Sequence, residues 1–314
     1  MSAEIDMKIW QGRTDPEPNS ERWHQRVQPL TENAAAGCAL LGFASDAGVA
    51  RNQGRVGAAK GPAALRRALA PQAWHRQGPA YDAGDVICDG DALEQAQQQL
   101  GERLASLLDA GHLPVVLGGG HAIAFGSWQG LTCHLENQGN EAPKVGIINL
   151  DAHFDLRDPQ HVRSSGTPFA QIAEQCEQRG WPFDYACLGV SRASNTRALF
   201  ERARELKVLV REDREFVPTA IETLIQDIER FIVSCDHLYL TIDLDVFPAC
   251  EAPGVSAPAA RGVSFALLEP LIETIRDSGK LRLADLAELN PDYDIDNRTA
   301  KLAARLVHLL TLNG

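Results

Sequence analysis

Short apolar segments alternate with longer segments of helical periodicity along this chain, and this alternation constrains the fold more than any other feature. The apolar segments are rich in Leu, Val and Ile, which is typical of strands buried on both faces. Seven strands are predicted, at 37–43, 113–118, 145–150, 185–190, 207–210, 237–244 and 281–289. Eight helices are predicted, at 61–70, 92–111, 121–136, 168–179, 194–206, 217–234, 264–278 and 294–312. The alternation predicts an α/β fold in which helices cover both faces of a parallel sheet.

The predicted elements occupy all but the beginning of the chain. The first 36 residues are polar and irregular in pattern, and we expect residues 1–36 to form an N-terminal arm. No low-complexity linker or internal repeat divides the remainder. A length of 314 residues suits one large α/β domain, so residues 37–314 are predicted to form a single domain.

Charge and composition argue against several classes of partner. Acidic residues outnumber basic ones by 42 to 30, and no run of Lys or Arg predicts a nucleic-acid surface. No apolar stretch reaches the roughly 18 residues of a membrane helix, and the polar start predicts no signal peptide. Seven scattered cysteines without a CxxC pair are typical of free thiols in a reducing cytoplasm. We expect a cytoplasmic protein that acts on a small-molecule substrate, and the sequence leaves a homo-oligomer open.

Unusual residues lie at the ends of four of the predicted strands, where parallel α/β folds bind their ligands. They are His121 after the second strand, Asp151, His153 and Asp155 after the third, Asp243 and Asp245 at the end of the sixth, and Glu288 at the end of the seventh. In an extended chain, residues two apart point the same way, so Asp151, His153 and Asp155 are expected to project together. Carboxylates gathered in this way repel one another or protonate unless cations lie between them.

A pair of divalent metal ions would satisfy these aspartates and histidines. Mixed imidazole and carboxylate ligands suit Mn²⁺, and zinc, iron, nickel and cobalt are compatible with the same set. The absence of a thiolate argues against a structural zinc site. A lone Asp-x-Asp is more often a solvated turn, and His121 after three glycines would also suit an anion-binding helix start. However, the chain has no phosphate-loop motif, and the DAHFD segment favours the two-metal interpretation.

These motifs, in this order, resemble those of the ureohydrolase family, which includes arginases, agmatinases and formiminoglutamases. The resemblance rests on GGGH, NLDAHFD, TIDLDVF with a following APG, and AELNP, and it covers the chain from about residue 38 to 312. The segment 48–69 is similar to the family's substrate-side loop and first helix. The resemblance implies an arginase-like, three-layer α/β/α fold with a central, mostly parallel sheet, and two Mn²⁺ per chain.

The resemblance also implies a role for each motif residue. One Mn²⁺ would be held by His121, Asp151, Asp155 and Asp243. The other would be held by Asp151, His153, Asp243 and Asp245, so that two aspartates bridge the pair. A metal-bridging hydroxide, held by the hydrogen bond that it donates to Asp155, would attack a planar carbon bonded to nitrogen. Glu288 matches the family glutamate that faces the cationic nitrogen group of the substrate.

Details of the sequence favour the formiminoglutamase branch, which hydrolyses N-formimino-L-glutamate to L-glutamate and formamide in histidine degradation. Arginases and agmatinases usually carry a proton-shuttling histidine on the loop after DAHxD, where this chain has Ser165, with His161 four residues earlier. The SSGTPF loop and the segments 10–27 and 188–200 are similar to those of the formiminoglutamase branch. Ala122 departs from that branch, which often has an acidic residue there.

A substrate with two carboxylates needs nearby cations in a protein with a net charge of −12. Arg157, Arg163 and Arg192 lie on segments expected to face the cleft, and arginine binds a carboxylate through two parallel N–H groups. These three arginines and Ser165 are the predicted substrate-binding residues. Asp155 and Glu288 are the predicted catalytic residues.

Other functions remain open at this stage. The main alternative is a urea-releasing hydrolase of agmatine, arginine or a guanidino acid. A non-catalytic metal-binding protein on this fold is less consistent with the complete set of ligands and Glu288. A nucleotide-binding module is less consistent with the absence of a phosphate loop.

Overall fold

A computed structural model describes residues 5–312 and contains a nine-stranded sheet in which all strand pairs are parallel. The strands, β1 to β9 in chain order, are Gln28–Pro29, Cys38–Ala44, Ala80–Ile87, Leu113–Leu117, Val145–Leu150, Asp184–Val190, Leu209–Glu212, His237–Asp243 and Leu281–Ala287. Their order across the sheet is β1-β3-β2-β4-β9-β8-β5-β6-β7.

Helices cover both faces of the sheet. Within residues 5–312 they are, α1 to α10 in chain order, Trp23–Arg26, Ala47–Arg51, Gly61–Leu69, Leu93–Asp109, Ile123–Asn137, Pro168–Arg179, Arg197–Glu205, Ile221–Ser234, Phe265–Asp277 and Arg298–Thr311. Helices α3, α8, α9 and α10 share one hydrophobic core with the sheet, and α4 to α7 share the other. The predicted three-layer α/β/α fold is confirmed. None of these helices is both long and apolar enough to cross a membrane.

The predicted strands and helices are all present, with ends that differ by a few residues. The sequence pattern does not predict β1 and β3, or the short helices α1 and α2. The apolar run of β3 is interrupted by Asp82, Gly84 and Asp85, so it lacks the pattern of a buried strand. The two helices have four and five residues, too few to show a helical period.

The N-terminal segment packs against the rest of the protein. Trp10, Trp23 and Val27 are buried in the same core as α3, and β1 extends the sheet beside β3. Residues 1–4 of the predicted arm and residues 313–314 of the predicted domain lie outside the described residues. The division into an arm and one domain stays a prediction.

A buried ion-pair network explains how β3 enters the core despite its acidic residues. Arg66 of α3 is only 3% exposed. Its Nε lies 2.9 Å from Asp82 Oδ2, and its Nη1 lies 2.6 Å from Asp85 Oδ1. Trp10 Nε1 also donates to Asp82 Oδ2, at 2.7 Å. The N-terminal segment, α3 and β3 are therefore joined through one carboxylate.

Replacing Arg66 by Met tests this network. The change keeps much of the side-chain volume but leaves Asp82 buried without its cation, so the free energy of unfolding should fall by about 3–5 kcal/mol. Urea denaturation measures the difference. Arg67→Met, at an exposed position of the same helix, is the matched control and should change stability by less than about 0.5 kcal/mol. Equal effects of the two changes would contradict the role given to the ion pairs.

The four strands that carry the sequence motifs are neighbours in the middle of the sheet, in the order β4-β9-β8-β5. Because they are parallel, their carboxyl ends lie at one edge of the sheet. Segments that are far apart in the sequence are thereby brought to a common place, as the strand assignment predicts.

Candidate metal centre and active site

His121 is the centre of a first group of ligand-type side chains at this edge of the sheet. Its Nδ1 lies 3.1 Å from Asp151 Oδ2, 2.9 Å from Asp155 Oδ2 and 3.0 Å from Asp243 Oδ2. Despite these distances, the buried Nδ1 makes no hydrogen bond. One nitrogen and three carboxylate oxygens thus surround one point, and the nitrogen is not used in a hydrogen bond. Such a donor set suits a divalent cation.

A second group adjoins the first through a shared aspartate. It consists of Asp151, His153 and Asp245, whose ligand atoms lie within 4.8 Å of one another. His153 Nδ1 is 3.0 Å from Asp245 Oδ2 and 3.5 Å from Asp151 Oδ1. Asp243, expected to serve both metals, belongs to the first group and accepts a hydrogen bond from Asp245 N at 2.8 Å. The arrangement is that of a binuclear metal site in which Asp151 is the shared residue.

The DAHFD segment reaches this position by a turn and not by continuing β5. Asp155 has a φ of 49°, in the left-handed region that non-glycine residues rarely adopt. Asn195 holds the turn on both sides of His153, because it donates to Ala152 O at 2.9 Å and accepts from Phe154 N at 3.1 Å. The expectation that strand alternation aligns the three ligand side chains of this segment is therefore wrong, although the turn brings them into the cluster.

Carboxylates outnumber the positive charges of this cluster, and their pKa values reflect this. Burial raises the pKa of Asp243 well above its usual value, and the charges of Asp245 and Asp151 raise it further. Burial also raises the pKa of Asp245, to about 6. The charge of Asp245 raises the pKa of His153 well above its usual value. Divalent cations among these groups would favour the ionised carboxylates by supplying positive charge.

Glu288 lies beside the cluster in a conformation set by the backbone. Its φ is 71°, and its Oε1 accepts a hydrogen bond from His121 N at 2.8 Å. Its Oε2 is buried without a hydrogen-bond partner. Burial raises the pKa of Glu288 to about 8, and the carboxylate of Asp245 adds to the effect. The unpartnered Oε2 is the atom of this side chain that remains available to a ligand.

A cavity of about 320 Å³ opens onto this site, and we call it the central cavity. Its lining includes the predicted residues His121, His153, Asp155, Arg157, Ser165, Asp243, Asp245 and Glu288. Asp151 lies fully buried beneath them. The structure therefore brings together the predicted metal ligands, the predicted catalytic residues, Arg157 and Ser165.

Arg163 and Arg192 do not line the central cavity. Arg192 forms an ion pair with Glu212 and stacks on Phe200 with its guanidinium carbon 4.7 Å from the ring centre. Arg163 is exposed on the loop that follows the metal-binding turn. His161, the histidine nearest to Ser165 in sequence, is also exposed and outside the cavity lining. Proximity in sequence to DAHFD does not decide which side chains reach the cavity.

Sequence reasoning missed several residues that line the central cavity: Asn52, Gln53, Arg55, Ser194, Asn195 and Ser256. Arg55 lies inside the segment 48–69, whose resemblance to a substrate-side loop was the one available signal for it. Asn52 and Gln53 lie in the same segment, and Ser194 and Asn195 lie in the segment 188–200, whereas no motif marks Ser256. Ser256 lies beside Arg55, about 200 residues away in the sequence, and its Oγ accepts a hydrogen bond from Arg55 N.

Thr241 supports the metal cluster from behind. Its Oγ1 lies 3.0 Å from His121 Nε2, and both side chains are buried. A partner on Nε2 sets the orientation of the ring and leaves Nδ1 for a metal. Thr241→Val keeps the shape but removes this partner, so we expect metal affinity to fall about 10–100-fold, as measured by chelator competition.

The matched control is Thr132→Val. Thr132 is equally buried, but its hydroxyl bonds the carbonyl of Gln129 in its own helix. Metal affinity should be unchanged in this variant. If both valine variants bind metal as the parent does, Thr241 does not orient His121.

This chain is similar to proteins of one known family. The arginase family profile matches residues 36–312. A formimidoylglutamase of Aeromonas hydrophila subsp. hydrophila is 58% identical over 310 residues, which cover 98% of this chain and 98% of that protein. A formimidoylglutamase of Ralstonia nicotianae is 53% identical over 313 residues, covering 98% and 95% of the two chains.

Solved structures also share this fold. Formimidoylglutamase from Bacillus subtilis superposes with a TM-score of 0.82 at 19% identity, covering 96% of this chain and 93% of the other. The family match covers 277 residues, from 36 to 312, and relatives with more than half of their residues identical cover nearly the whole chain. Both findings assign the chain to the same family. This chain belongs to the arginase family.

Proposed function

We propose that this protein hydrolyses N-formimino-L-glutamate to L-glutamate and formamide with the aid of two Mn²⁺. The observation that carries the proposal is the chemistry of the central cavity. Its lining combines aspartates, histidines and Glu288 with two arginines, Arg55 and Arg157. A ligand that carries both an amidinium and carboxylates matches this combination. The identity to formimidoylglutamases over nearly the whole chain supports the same substrate.

The aspartate and histidine cluster fits a pair of Mn²⁺. His121, Asp151, Asp155 and Asp243 would hold one ion, and the buried Nδ1 of His121 has no competing hydrogen bond. Asp151, His153 and Asp245 would hold the other, with Asp243 as a second bridge on the pattern of the family. A crystal structure of a Trypanosoma cruzi formiminoglutamase with Mn²⁺, 25% identical and superposing with a TM-score of 0.75 over 88% of this chain and 93% of that one, supports the choice of metal. When bound, the cations lower the pKa of a water molecule so that a nucleophile is available near neutral pH.

The residues of the chain then have distinct tasks. Asp155 engages His121 through Oδ2, and its Oδ1 accepts a proton from the attacking water and returns it to the departing amine. The oxygen of water bonds to the amidine carbon, and the bond from that carbon to the glutamate nitrogen breaks. Glu288 Oε2 accepts a hydrogen bond from the amidinium and holds the carbon in place.

Two further cavity residues are proposed to bind substrate. Arg157 donates to Asn52 Oδ1 at 3.0 Å and has no carboxylate partner within residues 5–312, so its remaining N–H groups are available to a substrate carboxylate. Ser165 is buried in the cavity wall, with its backbone N bonded to Gly48 O at 3.1 Å. Arg163 and Arg192 lie outside the lining and are not part of this proposal. The seven free cysteines favour a reducing compartment, and a cytoplasmic location is part of the proposal.

A product assay tests the proposal. Purified protein loaded with Mn²⁺ is incubated separately with N-formimino-L-glutamate, arginine and agmatine, and formamide and urea are quantified. Formamide and glutamate should appear in equal amounts from the first substrate, and no urea should appear from the others. Urea from arginine or agmatine, without formamide from formiminoglutamate, would contradict the proposal and favour a guanidino substrate.

A further inference from the structure

Arg55 lies in the wall of the central cavity without a counter-charge. It is partly buried, and it forms no ion pair with an acidic residue within residues 5–312. The acidic residues that line the same cavity are Asp155, Asp243, Asp245 and Glu288, which belong to the metal cluster or adjoin it. A guanidinium that is partly removed from water and unpaired is costly to maintain, and an anionic ligand would compensate for it.

The guanidinium of Arg55 is held in one orientation. Nε donates to Ser256 O at 2.8 Å, and Nη2 donates to Val255 O at 2.5 Å. Its central carbon lies 4.2 Å from the ring centre of Tyr293, so the group stacks on an aromatic face. Nη1 makes no hydrogen bond within the described residues. The side chain is therefore fixed while part of its donor capacity stays free.

The backbone around Arg55 is tied to the segment that carries Glu288. Asn290 Nδ2 donates to Arg55 O and to Val56 O, both at 3.0 Å. Gly57 has a φ of 134°, and its N donates to Asp46 Oδ2 at 2.7 Å. Asn290 is two residues from Glu288. The hydrogen bonds of Asn290 therefore connect the segment that carries Glu288 with the loop that carries Arg55.

Arg157 supplies the second unpaired cation of the cavity lining. Its Nη1 donates to Asn52 Oδ1, and Asn52 lies three residues before Arg55 on the same loop. Neither arginine has a carboxylate partner among the described residues. A ligand with two carboxylates could pair with both guanidiniums.

We propose that Arg55 is a specificity-determining residue that binds one carboxylate of the substrate while Arg157 binds the other. This inference rests on the proposed function and extends it, because it names a residue that distinguishes a dicarboxylate amidine from amidines without carboxylates. The competing explanation is that Arg55 only ties its loop to Val255 and Ser256. That explanation predicts equal damage to every substrate, whereas a carboxylate contact predicts damage to carboxylate-bearing substrates alone.

The test compares two substrates in Arg55→Met and Arg55→Lys. The first is N-formimino-L-glutamate, and the second is N-propylformamidine, which has the same reacting group and no carboxylate. In Arg55→Met, KM for formiminoglutamate should rise at least about tenfold with kcat within about threefold, because a charged hydrogen bond is lost from ground and transition states alike. The kcat/KM for N-propylformamidine should stay within about twofold of the parent. Arg55→Lys, which keeps the charge but not the fork, should lie between the parent and Arg55→Met.

Thermal unfolding and a charge control complete the experiment. Arg230→Met removes one positive charge from an exposed position on α8 and should leave both substrates unaffected. Equal loss on both substrates with a lowered Tm, or an unchanged KM for formiminoglutamate, would overturn the role of Arg55. Failure of the proposed function looks different, because the parent itself would then form no formamide.

Discussion

Asp151→Ala is expected to abolish activity almost completely, with kcat/KM reduced at least about a thousandfold, or more than about 4 kcal/mol of transition-state stabilisation. Asp151 is fully buried, and it is the residue common to both groups of ligand-type side chains. Its removal takes a carboxylate from each group and leaves two adjacent cations less neutralised. We therefore expect metal content to fall below that of a variant altered in only one group.

Asp245→Ala provides that comparison, because Asp245 belongs to the second group alone. It should retain close to one metal ion per chain by elemental analysis, whereas Asp151→Ala should retain less. Cys133→Ser, at an exposed thiol, should retain the metal content of the parent. Full metal content in Asp151→Ala, with an unchanged far-ultraviolet circular dichroism spectrum, would show that this aspartate does not bind the metals.

Glu288→Gln is expected to lower kcat/KM for formiminoglutamate about a hundredfold while leaving metal content unchanged. Because Oε1 accepts from His121 N at 2.8 Å, the glutamine amide should keep its oxygen at that position. The amide nitrogen then takes the place of Oε2 and presents hydrogen-bond donors where the carboxylate presented an acceptor. An amidinium also presents donors, so an attractive charged contact becomes a repulsive one.

Steady-state kinetics and metal analysis of the same preparation test this expectation together. Gln226→Glu offers a charge control in the opposite direction, at an exposed position on α8 outside the lining of the central cavity. Loss of metal in Glu288→Gln would assign Glu288 to the metal cluster instead of the substrate. Unaltered kinetics would show that the substrate does not contact it.

Much of the fold follows from sequence patterns with a direct physical cause. Strands buried on both faces need continuous apolar segments, so β5 and β8 are recognised from composition alone. Helices longer than two turns show their period, and α4 and α10 are recognised in the same way. The strand β3 escapes recognition because Asp82 is stabilised by Arg66, a partner 16 residues away that no local pattern reveals.

The metal cluster is nearly as predictable, although its local geometry is not. Parallel strands align their carboxyl ends, so His121, Asp151 and Asp243 are expected to meet once their strands are known to be neighbours. The turn that carries Asp155 is not expected, because its positive φ is maintained by contacts from Asn195, which follows a different strand. Strain of this kind persists only where surrounding structure enforces it.

By itself, the sequence determined the layered α/β architecture and the edge of the sheet where the chemistry lies. It also determined the residues suited to bind metal. These features could be predicted because each is marked by the order of residues within single segments. Only the tertiary structure decided which arginines reach the central cavity. Arg192 is occupied by Glu212, whereas Arg55 is carried into the cavity wall by contacts with Val255, Ser256 and Tyr293. The position of a long, flexible side chain depends on the groups that surround it, and for Arg55 these include Val255 and Ser256, about 200 residues away along the chain.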